Sequence, residues 1–206
     1  ALAHAMNAAL GNVGKTLAYV PPAEAANAGH LEGLQQLVQE MNSGAVRLLV
    51  VSDTNPVYTA PADLGFADAL AKVKLRVHHG LYRDETALGC DWHVNAAHYL
   101  ESWSDARAVD GTLSLVQPLI APLYNGKTAH EVVAALVEKT TMSPYDIVRE
   151  HWQKALGAEG FEAKWRRALH DGVLAGSAAN ALSVELQNLQ LPAPTPVQGM
   201  ELTFVP

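Results

Sequence analysis

Cysteine is nearly absent from this sequence. Cys90 is the only cysteine among the 206 residues. It has no partner for a disulfide within the chain, and a zinc or iron–sulfur site with four cysteine ligands cannot form from these residues alone. We therefore expect Cys90 to be a small, buried, unreactive thiol, and it carries no information on the redox compartment.

Long runs of one residue type are also missing. There is no long basic run and the formal net charge is −7, so we expect no nucleic-acid partner. No apolar run approaches the roughly 20 residues that span a bilayer, so we expect no direct membrane insertion. The composition, 49% hydrophobic and 17% charged, suits one large domain or one domain with an appendage. The chain opens without Met, and we expect it to be a segment of a longer protein.

The first 125 residues alternate between helical and strand patterns. Leu31 to Met41 has apolar residues at three- and four-residue spacing, and a second such face starts at Pro61. Short apolar runs between them predict strands. This alternation is typical of right-handed βαβ units, and it predicts an α/β fold with a mainly parallel, Rossmann-like sheet flanked by helices. The predicted helices are 1–10, 31–41, 61–70 and 84–88; the predicted strands are 16–20, 46–51, 73–78 and 91–94.

The character of the sequence changes after residue 125. Thr128 to Glu131 forms a capping box, Ser143-Pro144 opens another helix, and Phe161 to Leu169 predicts a third. We expect a helical extension over residues 126–190, packed on the α/β region of residues 1–125. Residues 191–206 contain four prolines and predict an extended tail. Leu182–Leu189 is a further strand or helix candidate, and Glu201–Val205 a final strand.

The loop Ser52 to Pro56 is the best candidate for ligand contact. It follows the apolar run Leu48 to Val51, and ligands of open α/β sheets sit at the carboxyl ends of strands. Asn55 offers an amide donor and acceptor and tolerates tight turns. A simple turn at Asn55-Pro56 is the competing interpretation.

Other candidate sites are weaker. The phosphate-loop-like run Gly11 to Thr16 lacks the first glycine of that motif and follows a helix instead of a strand. The histidines and acids between His78 and His98 match no zinc spacing, so we expect no metal site. No nucleophile elbow surrounds Ser52 or Cys90, and we expect no catalytic residue.

A family resemblance rests on several short motifs in order. Ala8–Gly14, Asn55-Pro56, Glu85-Thr86-Ala87 and Asp91 resemble the molybdopterin oxidoreductases of the dimethyl-sulfoxide-reductase superfamily. The resemblance implies that Ser52, Asn55, Pro56, Thr86 and Asp91 correspond to cofactor-binding positions. It also implies molybdopterin guanine dinucleotide and iron–sulfur clusters for the wider family, although we expect neither in this chain.

A narrower resemblance covers more of the sequence. The chain is similar to the large iron–sulfur, molybdopterin-oxidoreductase-like subunit of alternative complex III, a membrane-associated bacterial assembly that passes electrons from quinol. This implies partner domains and subunits, and a place at the periplasmic face of the inner membrane. The matching segments are Asn55–Asp63, His98–Trp103, Asp105-Ala106, Ser114–Leu123 and Tyr145–Arg149.

Four positions depart from the cofactor-binding pattern. Gly80 stands where relatives have a guanine-binding Asp, Asp84 where a nucleotide-contacting Thr is common, and Val94-Asn95 where the family has Leu-Pro. A carboxylate beside a diphosphate repels it. The departures predict a structural domain with a degenerate cofactor site, which catalyses nothing alone. A domain cut from a larger protein exposes apolar surface, so we also expect self-association of this chain that has no physiological meaning. The alternatives are the second guanosine-binding domain of an active enzyme and a stand-alone module for a small ligand.

Overall fold

The computed structural model describes residues 2–23, 29–137, 142–185 and 199–200. It has an α/β fold with a parallel three-stranded sheet, flanking helices and further helices in the C-terminal part, which confirms the predicted fold class. The chain divides into two compact units, Ala1–Pro21 with Ala179–Pro206 and Pro22–Ala178. The boundaries predicted at residues 125 and 190 stay predictions.

Among its described residues, the smaller unit contains helix α1 (Leu2–Ala9) and two isolated bridges, a parallel one between Val13 and Leu17 and an antiparallel one between Tyr19 and Leu182. The strand predicted over residues 16–20 is wrong. The carbonyl of Asn12 accepts hydrogen bonds from the N–H groups of Thr16 and Leu17, so a turn uses the donors that a strand ladder needs. Of the predicted element Leu182–Leu189, the structure describes residues 182–185, and Leu182 forms the bridge to Tyr19. The predicted strand Glu201–Val205 lies outside the described residues.

The larger unit is built on three parallel strands in the order β1-β2-β3. They are β1 (Leu48–Ser52), β2 (Leu75–Gly80) and β3 (Trp92–Asn95). The register pairs Ser52 with His79 and His79 with Val94. The three carboxyl ends therefore lie level with one another. All three strands fall within two residues of their predicted bounds.

Helix α2 (His30–Asn42) and helix α4 (Phe66–Leu70) cover one face of this sheet. Short helices α3 (Pro56–Thr59) and α5 (Glu85–Leu88) follow β1 and β2. The helix predicted from Pro61 is interrupted: a 3-10 turn over Ala62–Leu64 ends at Gly65, whose φ of 60° favours glycine. The core contains Val38, Met41, Phe66, Ala69, Leu70 and Val73.

A hairpin and three helices form the second half of this unit. Strands β4 (Ser104–Arg107) and β5 (Leu113–Val116) are antiparallel, and the sequence patterns did not predict this hairpin. Helices α6 (Ala129–Leu136), α7 (Pro144–Leu156) and α8 (Phe161–Asp171) follow, with the predicted caps at Thr128 and Ser143 confirmed. Their core contains Leu115, Val148, Trp152, Phe161, Trp165 and Ala168. No helix in the described ranges is both long and apolar enough to cross a membrane.

Candidate functional site

A cavity of about 610 Å³ lies at the carboxyl ends of β1 and β2. The loop after β1 contributes Asp53 to Asn55, and the loop after β2 contributes Leu81, Tyr82 and Asp84. The start of α6 contributes Thr128 to His130, and the 3-10 turn Tyr99–Glu101 contributes Tyr99. This is the end of the sheet at which ligands of open α/β folds bind.

Asn55 lines this cavity, but its amide is engaged within the protein. The side-chain oxygen accepts hydrogen bonds from the hydroxyl (2.7 Å) and the N–H (3.2 Å) of Thr86. The amide nitrogen donates to Glu85 at 2.7 Å, which lowers the pKa of that carboxyl. Asn55 thus connects the loop after β1 to α5. These hydrogen bonds bring Asn55 and Thr86 together, although Thr86 is buried and does not line the cavity. Their role toward a cofactor stays a prediction.

Pro56 and Ser52 hold the same loop in other ways. Pro56 is buried as the first residue of α3, where the missing N–H of proline costs nothing. The hydroxyl of Ser52 lies 2.8 Å from Nδ1 of His79, and Nε2 of His79 lies 2.7 Å from the carbonyl of Lys127. Since only Nε2 can donate to that carbonyl, neutral His79 accepts the Ser52 hydroxyl hydrogen at Nδ1. Buried His79 therefore joins β1, β2 and the segment before α6.

A second buried histidine reaches the cavity from the opposite face of β2. The ring of His78 stacks on that of His93 with 5.1 Å between centroids, and their Nδ1 atoms are 2.9 Å apart. Nε2 of His78 lies 3.5 Å from Oδ1 of Asp84 and has no hydrogen-bond partner within the described part of the chain. Asp84 also accepts from the N–H of Ala87, so it caps α5 as predicted. Burial, together with His78, lowers the pKa of His93.

Asp91 lies away from these residues. It precedes β3 and pairs with Arg76 near the beginning of β2, with 2.6 Å between Oδ1 and the guanidinium nitrogen. Four residues of strand, about 13 Å, separate Asp91 from the carboxyl end of β3. The Arg76 guanidinium lowers the pKa of Asp91. The structure therefore does not bring Asp91 together with Asn55, Thr86 and Ser52.

Residues from the second half of the unit complete the cavity. Of these, only His98 was weighed as a site residue from the sequence. Nδ1 of His98 accepts from the N–H of Leu100, and Nε2 of His130 lies 3.0 Å from the Ser104 hydroxyl. The capping box at Thr128 predicted where α6 starts. It did not predict that the start of α6 faces the carboxyl ends of the parallel strands.

The cavity lining contains carboxylates but no Lys or Arg. The carboxylates are those of Asp53 and Asp84. Asp53 has a φ of 52°, which aspartate tolerates better than most residues. No group of three or more His, Cys, Asp or Glu in the described part of the chain is placed to hold a metal ion.

Comparison with known proteins gives one partial relative. The chain is 35% identical over 96 residues to the "menaquinone reductase, molybdopterin-binding-like subunit" of Nitratidesulfovibrio vulgaris, strain Hildenborough. The similarity supports a relation to the molybdopterin oxidoreductases. The match covers 45% of this chain and 14% of the length of that relative. No protein-family model matches the chain.

Proposed function

We propose that this chain is a structural domain of a molybdopterin-oxidoreductase-type subunit in a respiratory electron-transfer complex. In this proposal its nucleotide site is degenerate, and the domain supports the iron–sulfur domains and partner subunits of an assembly like alternative complex III. The assembly would lie at the periplasmic face of a bacterial inner membrane. The relative's own name, a molybdopterin-binding-like subunit, is consistent with a domain that keeps the fold.

The charge of the cavity lining is the observation that carries the proposal. A dinucleotide cofactor brings a diphosphate, which proteins hold with cationic side chains or helix N-termini. The cavity presents the carboxylates of Asp53 and Asp84, and no lining Lys or Arg offsets them. The start of α6 also lines it, but the N–H groups of Thr128 and Glu131 already donate within the capping box. Like charges repel most strongly where water is partly excluded. The residues present therefore do not fit a diphosphate, and we assign no chemistry to that cofactor here.

The position of Gly80 adds a steric argument. A β-carbon added to Gly80 would lie 2.7 Å from Cε1 of His78. His78 is 1% exposed and its ring stacks on that of His93, so moving the ring aside would disrupt this stacking. The guanine-binding Asp that the family resemblance implies at this position would therefore collide with His78.

Guanosine diphosphate provides the direct test, as a stand-in for the nucleotide half of the cofactor. We expect no heat of binding and no thermal shift at millimolar ligand. A ligand at 100 times its dissociation constant would stabilise the fold by about 2.7 kcal/mol, which is easily measured. We also expect no turnover with any pair of quinol and electron acceptor.

Two variants make the outcome specific. Asn55→Ala removes the candidate contact residue, and Asp68→Asn, on the exposed side of α4, is the control. The proposal would be contradicted if guanosine diphosphate binds, Asn55→Ala abolishes that binding and Asp68→Asn leaves it intact. That result would favour the alternative, the second guanosine-binding domain of an active oxidoreductase.

A further inference from the structure

The cavity at the carboxyl ends of β1 and β2 offers acceptors for a positively charged group. Asp53 and Asp84 line it without any lining Lys or Arg. Oδ1 of Asp84 accepts one backbone hydrogen bond, from Ala87, and a carboxylate has capacity for several more. A pair of acids alone does not make a site, but a second feature of the cavity indicates a ligand.

That feature is the imidazole of His78. The residue is 1% exposed and lines the cavity, and its Nε2 has no hydrogen-bond partner among the described residues. Buried polar atoms nearly always have a partner, and an orphan calls for an explanation such as an absent ligand atom. The nearest acceptor, Oδ1 of Asp84, is 3.5 Å away, which is too long for a good hydrogen bond.

The contact between His78 and His93 limits what His78 presents to the cavity. Their Nδ1 atoms are 2.9 Å apart, so one ring donates its hydrogen to the other. If His93 donates, Nε2 of His78 carries the hydrogen and faces Oδ1 of Asp84 at 3.5 Å; if His78 donates, Nε2 carries a lone pair beside that carboxylate. In the second arrangement two acceptors face each other, and a hydrogen donor placed against both, best a positively charged one, relieves their repulsion.

Aromatic side chains border the same space. Tyr82 and Tyr99 line the cavity and remain 79% and 64% exposed, so they stand at its opening. The face of a tyrosine ring attracts a cation within about 6 Å. Carboxylates inside and tyrosines at the opening form a combination suited to an organic cation.

We propose that this cavity binds the guanidinium group of an organic cation, held by Asp84, His78 and Asp53. The inference rests on the proposed function, because a cavity that kept an anionic cofactor would have no place for a cation. The guanidinium has five N–H donors, enough to reach both carboxylates and Nε2 of His78. The group belongs either to a free small molecule or to an arginine side chain of a partner protein.

Calorimetry of the full chain with L-argininamide tests the proposal, and L-citrullinamide is the matched probe. The two probes have the same length and shape, but the second replaces the guanidinium by a neutral urea group. We expect L-argininamide to bind, L-citrullinamide to bind at least about tenfold more weakly, and added salt to reduce the difference. Equal binding of the two probes, or no binding of either at millimolar concentration, would overturn the proposal.

Three variants locate the binding. Asp84→Asn keeps an oxygen that caps α5, and Asp53→Asn keeps a residue that tolerates a positive φ. Each should weaken L-argininamide binding about tenfold, the value of one charged hydrogen bond. Asp68→Asn removes one exposed charge outside the cavity and should change nothing. A comparable loss in Asp68→Asn would show unspecific attraction to the acidic chain and would overturn the site.

Two further probes distinguish the sources of the cation. Agmatine represents a free small molecule, and acetyl-Gly-Arg-Gly-amide represents an arginine side chain within a protein. Preference for agmatine supports the first source and preference for the tripeptide supports the second. Guanosine diphosphate is measured separately. Nucleotide binding that Asn55→Ala abolishes and Asp68→Asn leaves intact would overturn the proposed function, while failure of both agmatine and the tripeptide to bind would overturn this inference alone.

Discussion

The side-chain oxygen of Asn55 lies 2.7 Å from the hydroxyl of Thr86 and joins the loop after β1 to the first turn of α5. Thr86 is fully buried, and its hydroxyl oxygen also accepts the N–H of Val57 at 3.0 Å. One buried hydroxyl therefore connects Asn55 and the first turn of α3 with α5. The residue at the expected ligand position is a structural connector, whatever else it binds.

Replacement of Asn55 by alanine should destabilise the fold. The hydroxyl and the N–H of Thr86 would lose their acceptor, and a buried polar group without a partner costs about 1–3 kcal/mol. We expect the free energy of unfolding, measured by urea denaturation, to fall by that amount. An unchanged urea midpoint in Asn55→Ala would show that water replaces the lost acceptor.

A double-mutant cycle with Thr86→Val isolates this pair. If the two side chains act through their mutual hydrogen bond, the double variant should lose less stability than the sum of the single variants. Thr86→Ser, which keeps the hydroxyl, serves as the control. Strict additivity would contradict a direct coupling.

The sequence predicted those parts of this region that depend on neighbours along the chain. Asp84 was expected to cap α5, and it does, because a cap needs only the N–H three residues ahead. The parallel strands followed from short apolar runs between helical patterns, since that alternation reports which faces are buried. The break at Gly65 was missed because the apolar spacing of Leu64, Ala67 and Leu70 continues through it.

Contacts distant in sequence could not be predicted from residue patterns. Asn55 and Thr86 are 31 residues apart, and a residue's position gives no indication of whether its amide faces solvent or a buried hydroxyl. The carboxylate of Asp91 was predicted at the cofactor site from a motif, yet Arg76 of the neighbouring strand holds it at the opposite end of β3. The β4–β5 hairpin was missed because its first strand, Ser104 to Arg107, has two charged residues in four.

Gly80→Ala should destabilise the fold through a steric clash. The added β-carbon would lie 2.7 Å from the buried His78 ring, and overpacking of this kind costs about 1–3 kcal/mol. Gly80 is not among the residues with positive φ, so the cost comes from the clash alone. Gly33→Ala is the opposite control: its β-carbon meets open space within α2, and it should stabilise by about 0.5–1 kcal/mol. Urea denaturation of both variants should give changes of opposite sign.

Cys90 should react slowly with alkylating reagents. Burial raises the pKa of its thiol, and the negative charges of Asp91 and Asp84 act in the same direction against the influence of Arg76. Since the thiolate is the reactive form, iodoacetamide at neutral pH should modify the folded chain more slowly than the chain unfolded in urea. Equal rates of modification in the folded and the unfolded chain would contradict the conclusion that burial and a raised pKa protect the Cys90 thiol.

Stability should fall as the pH decreases through the titration of His93. Burial and the neighbouring His78, His79 and Arg83 lower the pKa of His93, and Asp84 opposes them only in part. The unfolded chain then takes up a proton near pH 6.5, the ordinary value, while the folded chain does so only at lower pH. The unfolded state binds more protons in that interval, so the free energy of unfolding decreases from about pH 7 downward and levels off below the folded pKa.

Urea denaturation between pH 5 and pH 8 measures the slope of the free energy of unfolding against pH. His93→Gln should flatten it, whereas His30→Gln, at an exposed position on α2, should leave it unchanged. An equal slope in His93→Gln would assign the pH dependence to another group, because a glutamine cannot titrate.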